Sequence, residues 1–155
     1  MTNINSEHQY FALSSALTNA NKDNLDPTSK NIQAIAQNNG CDGWWLINLY
    51  PKRTSKPSKL VKTVNQVIAK ENIDFIRELI NNGNNISKIL FCWGNRINDH
   101  SYLKKQANQI IATVKKLDLK PLFLWKTLTG NPLYPAPMVV NRFFGGVNNI
   151  ALEKH

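Results

Sequence analysis

Trp44-Trp45-Leu46-Ile47-Asn48-Leu49-Tyr50 decides how this chain folds. Its first four side chains are apolar, so a strand built from them has no face to give to water. Strands covered on both faces are the habit of parallel sheets, whose crossovers lay helices against each side. Similar runs, bounded by turn residues, occupy 10–17, 88–93 and 121–126. Between the runs the apolar spacing becomes helical. Asp26 can cap a helix with Pro27 in its first turn, where the missing N–H costs nothing, and Ile32, Ile35 and Ala36 share a face before Gly40. Ile73, Ile76, Leu79 and Ile80 make a second stripe, closed by Asn81-Asn82-Gly83. A third helix is expected over about 99–117, with Leu103, Ala107, Ile110, Ile111 and Val114 on one side and Lys115 and Lys116 at the negative end of its dipole. The order β-α-β-α-β-α-β with right-handed crossovers predicts an α/β fold, three-layer α/β/α, on a four-stranded, mostly parallel sheet. Residues 139–155 read as a terminal helix broken at Gly145-Gly146.

With 155 residues and 42% hydrophobic content, the chain fits a single domain over 1–155 that buries roughly 70% of the surface its unfolded form exposes. Charged residues make up only 19%, too few for a coiled coil. No apolar run approaches the about 20 residues that span a bilayer, so no membrane partner is expected. Met1-Thr2-Asn3-Ile4-Asn5 lacks a basic segment leading into an apolar one, and the expected location is cytoplasmic. Lys and Arg number 19 against 10 Asp and Glu, yet residues 1–50 hold only Lys22 and Lys30 against Glu7, Asp23, Asp26 and Asp42. The basic excess downstream is the footprint expected of a nucleic-acid binder. Its alternative is a lysine-rich composition that accompanies abundant Asn and Ile and serves no partner. Cys41 and Cys92 have no Cys-x-x-Cys companion and read as reduced thiols, Cys92 within the core. His8, His100 and His155 lack metal-ligand spacing, so no metal and no other cofactor is expected. Gly-x-x-x-x-Gly-Lys, Gly-x-Gly-x-x-Gly and Gly-x-Ser-x-Gly do not occur, which removes the usual support for nucleotide hydrolysis, dinucleotide binding and an esterase elbow.

Ligands of such sheets bind beyond the C-terminal strand ends, which directs attention to 18–25, 51–63, 94–98 and 127–137. Asn48, at the end of the second strand, offers an acceptor and a donor in fixed geometry, as reading a base edge requires. Tyr50 can stack on a base, Arg53 can pair with a phosphate, and Lys56, Lys59 and Lys62 follow without a nearby acid. The other reading, favoured on these residues alone, has Asn48 satisfying neighbouring backbone groups and the lysines in a solvated loop. Trp93-Gly94-Asn95-Arg96 ends the third strand: Gly94 permits a sharp turn or a close ligand, Arg96 adds a second anion contact, and Trp93 reads as core before stacking platform. The last loop, with Gly130, Asn131, Tyr134 and three prolines, reads as a stiff, shaped wall.

Asp26-Pro27-Thr28, Asn48-Leu49-Tyr50-Pro51-x-Arg53, Trp93-Gly94 and Gly130-Asn131-Pro132, in this order, resemble the bacterial and phage family called domain of unknown function 1643 over about residues 10–137. Members usually carry Asn-Pro-Ser after the first strand and His-Pro-Leu-Tyr in the late loop. Here Leu17-Thr18-Asn19-Ala20 and Leu133-Tyr134-Pro135-Ala136 stand instead. More distantly the framework is similar to the uracil-DNA glycosylase superfamily, whose four-stranded parallel sheet has one strand ending in a base-reading Asn and another in Trp-Gly. That resemblance implies that Asn48 contacts a flipped base and that the loop around Tyr134 presses on DNA.

The function expected is binding of a nucleobase, nucleotide or nucleic acid in a crevice at the strand C-termini. Glycosylase-like hydrolysis of an N-glycosidic bond would use Asn19 or Asp23 to position water, while Asp26 is better explained as a helix cap. The alternatives are a non-catalytic nucleotide-binding module and a protein-interaction domain whose basic surface is incidental.

Overall fold

The computed structural model describes residues 9–14, 27–41, 43–49, 65–81 and 86–154, without the side chains of 9–14, 87 and 96. Its centre is β3 (Ile86–Phe91), flanked by β1 (Gln9–Ser14) and β4 (Pro121–Phe123). β2 (Gly43–Asn48) lies outside β1, and β5 (Glu153–Lys154) outside β4, giving the order β2-β1-β3-β4-β5. The first four in that order run parallel, with Ser14 beside Asn48, Leu13 beside Phe91, and Ile89 beside Pro121; β5 returns antiparallel, Leu122 against Lys154. The sheet is therefore mixed and five-stranded, which corrects the expected four-stranded, mostly parallel sheet while the α/β class stands. β5 escapes a sequence reading because both its residues are exposed and charged; only pairing with β4 makes them a strand.

Alternation along β3 sorts the core into two layers. Ile89 and Phe91 pack, with Ile47 and Trp93, against α2 (Gln66–Asn81) and α3 (Ser101–Lys116). Leu90 and Cys92 pack, with Trp44 and Leu46, against α1 (Pro27–Asn38) and α4 (Pro137–Phe144). The three expected stripes are the buried ones: Ile32, Ile35 and Ala36 in α1, Ile73, Ile76 and Leu79 in α2, and Leu103, Ala107, Ile110 and Val114 in α3, with Ile111 only half-buried at the edge. Both cysteines are buried free thiols. α4 ends at Gly145, where the terminal helix was expected to break, and Asp26 lies outside the described residues.

Two polar side chains sit on the apolar stripes and cross-link the layer. Gln106 Nε2 donates to Ala69 O at 2.8 Å, joining α3 to α2. Asn72 Nδ2 donates to Asn48 O at 2.8 Å and to Leu49 O at 3.2 Å, tying α2 to the end of β2. The start of α2 is set by Asn65, whose Oδ1 accepts from Val67 N at 3.0 Å and Ile68 N at 3.3 Å as a helix cap. No helix among the described residues is long and apolar enough to cross a membrane.

Candidate functional site

Because β1 to β4 run parallel, the chain leaves β2, β3 and β4 at one rim of the sheet. After β3, Cys92 and Trp93 stay buried and the backbone then enters a 3₁₀ turn, Gly94–Asp99, that leads into α3. The strand expected to run to residue 93 thus ends at Phe91. After β4 the chain does not continue as a strand to residue 126 either. Residues 125–133 fold into a hairpin, with Leu133 N donating to Trp125 O at 2.8 Å and Thr127 N to Asn131 O at 2.7 Å. Its tip is a turn closed by Gly130 N on Thr127 O at 2.9 Å, and Gly130 takes φ +85°, the left-handed residue that follows such a turn.

Gly94 docks this hairpin onto the end of β3. Its N–H donates to Pro132 O at 2.8 Å, its φ is +67°, and a Cβ built on it would stand 3.2 Å from Tyr134 Cβ. Gly94→Ala is expected to cost more stability than Gly130→Ala. Both would force a side chain into left-handed backbone, at about 1–2 kcal/mol, but only at Gly94 is the space already taken; a Cβ on Gly130 meets nothing within 4 Å. Thermal unfolding of the two variants side by side checks this, and an equal or smaller loss at Gly94 contradicts it.

A polar cluster fastens the hairpin from behind. Asn95 Oδ1 accepts from Thr127 Oγ1 at 2.7 Å, Thr129 Oγ1 at 2.7 Å and Asn131 Nδ2 at 3.1 Å. Between the hairpin and α3 lies a cavity of about 270 Å³. Trp93, Ile97, Ala107, Ile111 and Pro132 give it apolar wall, while Asn98, Lys104, Asn108, Thr129 and Asn131 give it polar groups. Lys104, Ala107, Asn108 and Ile111 stand at i, i+3, i+4 and i+7, one stripe along the flank of α3.

The structure brings Trp93, Gly130 and Asn131 to this cleft, with Gly94 and Tyr134 in contact at its root. Trp93 serves the core as well: it is buried, with its ring centroid 4.7 Å from that of Phe91. Asn48 is not among the lining residues. The alternation of β2 puts it on the side of Trp44 and Leu46, which pack with α1. It is buried to 8% exposure, and its Oδ1 has no hydrogen-bond partner. Asn19, Asp23, Tyr50 and Arg53 lie outside the described residues, as do the side chain of Arg96 and the lysines at 56, 59 and 62. Sequence reasoning did not single out Asn95, Lys104 or Asn108. Their signal was positional: the two α3 residues flank the buried stripe, and Asn95 follows the glycine that turns the chain.

A second depression, of about 460 Å³, lies between α2 and α3 and includes Lys70, Asp74, Arg77 and Gln109. Lys70 Nζ reaches Asp74 Oδ2 at 2.9 Å and Arg77 Nη1 reaches Oδ1 at 3.1 Å. The hydrogen bond from Lys70 is the main cause holding the Asp74 carboxyl below its ordinary range. These pairs are exposed and add little to stability. Among the described residues no group of three or more His, Cys, Asp and Glu side chains gathers as a metal site would require.

No curated protein and no solved structure matches the chain. The family model described as Protein of unknown function (DUF1643) does match it, over residues 6–136, a span that runs from before β1 through the hairpin to the start of α4. The motifs at Pro27, Asn48, Trp93-Gly94 and Gly130-Asn131-Pro132 all fall within that span, and the chain belongs to this family.

Proposed function

We propose that this chain binds a nucleobase, as a nucleotide or within nucleic acid, at the carboxyl rim of its sheet. The observation that carries the reading is the cleft between α3 and the 125–133 hairpin, whose chemistry suits a flat, polar-edged, anionic ligand. Trp93 and Pro132 offer apolar surface to a ring, the amides of Asn98, Asn108 and Asn131 offer paired donors and acceptors to its edge, and Lys104 offers a point charge to a phosphate. The volume of about 270 Å³ sits at the lower end of small-ligand sites, about 300–1,000 Å³, which favours a single base.

Asn48 supports the same reading from the α1 side of the rim. A buried acceptor left unpaired costs about 1–3 kcal/mol, and a ligand donor would remove that cost. The motif likeness to the uracil-DNA glycosylase superfamily agrees, since Asn48 stands in the order where that fold carries its base-reading Asn. Hydrolysis would add a water positioned by Asn19 or Asp23.

Thermal shift and calorimetry with the common mononucleotides and a single-stranded oligonucleotide test the proposal. One mononucleotide is expected to stabilise the protein by about 2.7 kcal/mol at a hundredfold excess over its dissociation constant. Oligonucleotide affinity is expected to fall steeply between low and moderate salt, with a shallower fall in Lys104→Ala. Abasic product from a modified-base oligonucleotide, lost in Asn48→Ala, would extend binding to hydrolysis. Silence of the whole panel in both assays would reject the reading.

A further inference from the structure

The hydrogen-bond inventory of the hairpin, taken together with the nucleobase reading on which this rests, names the base. A hydroxyl carries one proton and two lone pairs, and a primary amide carries two N–H donors and one acceptor oxygen. Thr129 spends its proton inside the cluster, on Asn95 Oδ1 at 2.7 Å or on Thr127 Oγ1 at 3.2 Å. Asn131 turns its Nδ2 inward, to Asn95 Oδ1 at 3.1 Å and Thr129 Oγ1 at 3.2 Å. What the two cleft-lining side chains retain is a lone pair on Thr129 Oγ1 and the carbonyl oxygen of Asn131, which leaves the planar amide on the side away from the cluster. Both are acceptors. Asn95 does not line the cleft, yet its one carbonyl oxygen imposes this polarity by taking all three donors.

Two neighbouring acceptors call for two neighbouring donors. Adenine and cytosine set their amino group beside a ring acceptor, and uracil and thymine set one N–H between carbonyls. Guanine alone among the standard bases has two adjacent donors, N1–H and the 2-amino group, beside an acceptor, O6. Lys104 and Asn108, one helical turn apart on the α3 flank of the cleft, are donors available to O6 or to a phosphate. We infer that the cleft takes a guanine base, read through N1–H and the 2-amino group by the hairpin, with Asn95 as the positioning residue that keeps that wall acceptor-only.

Calorimetric titration of the full chain with GMP, IMP, AMP, CMP and UMP tests this, IMP being GMP without the 2-amino group. GMP is expected to bind tightest and IMP about tenfold or more weaker, the scale of a good paired contact to a base edge. Asn95→Ala releases the Thr129 proton and frees the Asn131 amide to rotate, so the GMP to IMP ratio is expected to fall to near one while nucleotide binding persists. Asn95→Asp keeps an acceptor oxygen in place and is expected to hold the ratio. A structural role alone would shift the melting temperature and leave the ratio untouched. GMP binding no tighter than IMP, or a ratio unchanged in Asn95→Ala, overturns the inference and leaves nucleobase binding standing. Failure of every nucleotide to bind overturns both.

Discussion

Phe91→Ala is expected to destabilise the protein by about 3–5 kcal/mol, the range for truncating a fully buried aromatic side chain. Phe91 has no exposed surface, sits on the middle strand of the sheet, and packs its ring at 4.7 Å between centroids against Trp93. Its removal opens a void where Ile47, Ile89 and the stripes of α2 and α3 converge, a place walled on all sides by buried side chains. Collapse there would have to move a helix. Urea unfolding measures the loss, and the melting temperature is expected to fall by roughly 10 °C or more for a domain of this size. Lys88→Ala, on the same strand at a half-buried position, serves as the control and is expected to stay within about 0.5 kcal/mol of the parent. The ring contact also places Trp93 at the cleft, so nucleotide binding should weaken in Phe91→Ala even where the protein remains folded. A loss under about 1 kcal/mol would mean that the β3 interior repacks freely, contrary to the close packing that protein cores show.

The second large effect is expected at Asn72. Its amide nitrogen supplies both hydrogen bonds that the carbonyls of Asn48 and Leu49 receive from α2, at 2.8 and 3.2 Å, and the side chain is buried. Asn72→Ala strips two buried acceptors at once, each costing about 1–3 kcal/mol when left without a donor. Asn72→Leu restores the volume but not the donor, so the two variants should be about equally unstable, near 2–4 kcal/mol by the same reckoning. Denaturant unfolding of both decides the cause: a Leu variant recovering to within about 0.5 kcal/mol of the parent would show that packing, not hydrogen bonding, holds this junction. Because the bond lands on the backbone of Asn48, either variant should also disturb any ligand that Asn48 contacts, whereas Gln106→Leu, which breaks the tie between α3 and Ala69, should leave the end of β2 in place.

The parts of the fold that rest on a repeated pattern could be read from the residues. The continuous apolar run at Trp44 to Ile47 marked a doubly covered strand, and the i, i+3, i+4, i+7 spacing from Leu103 to Val114 marked the inward face of α3. Features made by a single tertiary contact could not be read. β5 exists through two pairs with β4, and β3 and β4 stop short of their apolar runs because Gly94 and the hairpin bend the chain onto each other. The same division holds for the site. Trp93, Gly130 and Asn131 were found because strand ends and turn residues point to a rim, whereas Asn95, Lys104 and Asn108 required knowing which helix flank meets which loop. Asn72 and Gln106 carried a legible warning that went unused. Each is an amide on an otherwise apolar stripe, and a buried amide needs a partner on a neighbouring element.

The strand order leaves the sheet with two chemically unequal margins. At one, β5 presents exposed Glu153 and Lys154, charges of the kind that discourage a foreign strand from adding on. At the other, β2 is the terminal strand among the described residues, and its six residues, Gly43 to Asn48, bear no charge and include two tryptophans. Only one margin of each molecule is thus suited to templating, so two molecules that meet there consume each other's adhesive side. Self-association through the backbone then closes at a pair instead of propagating into a filament.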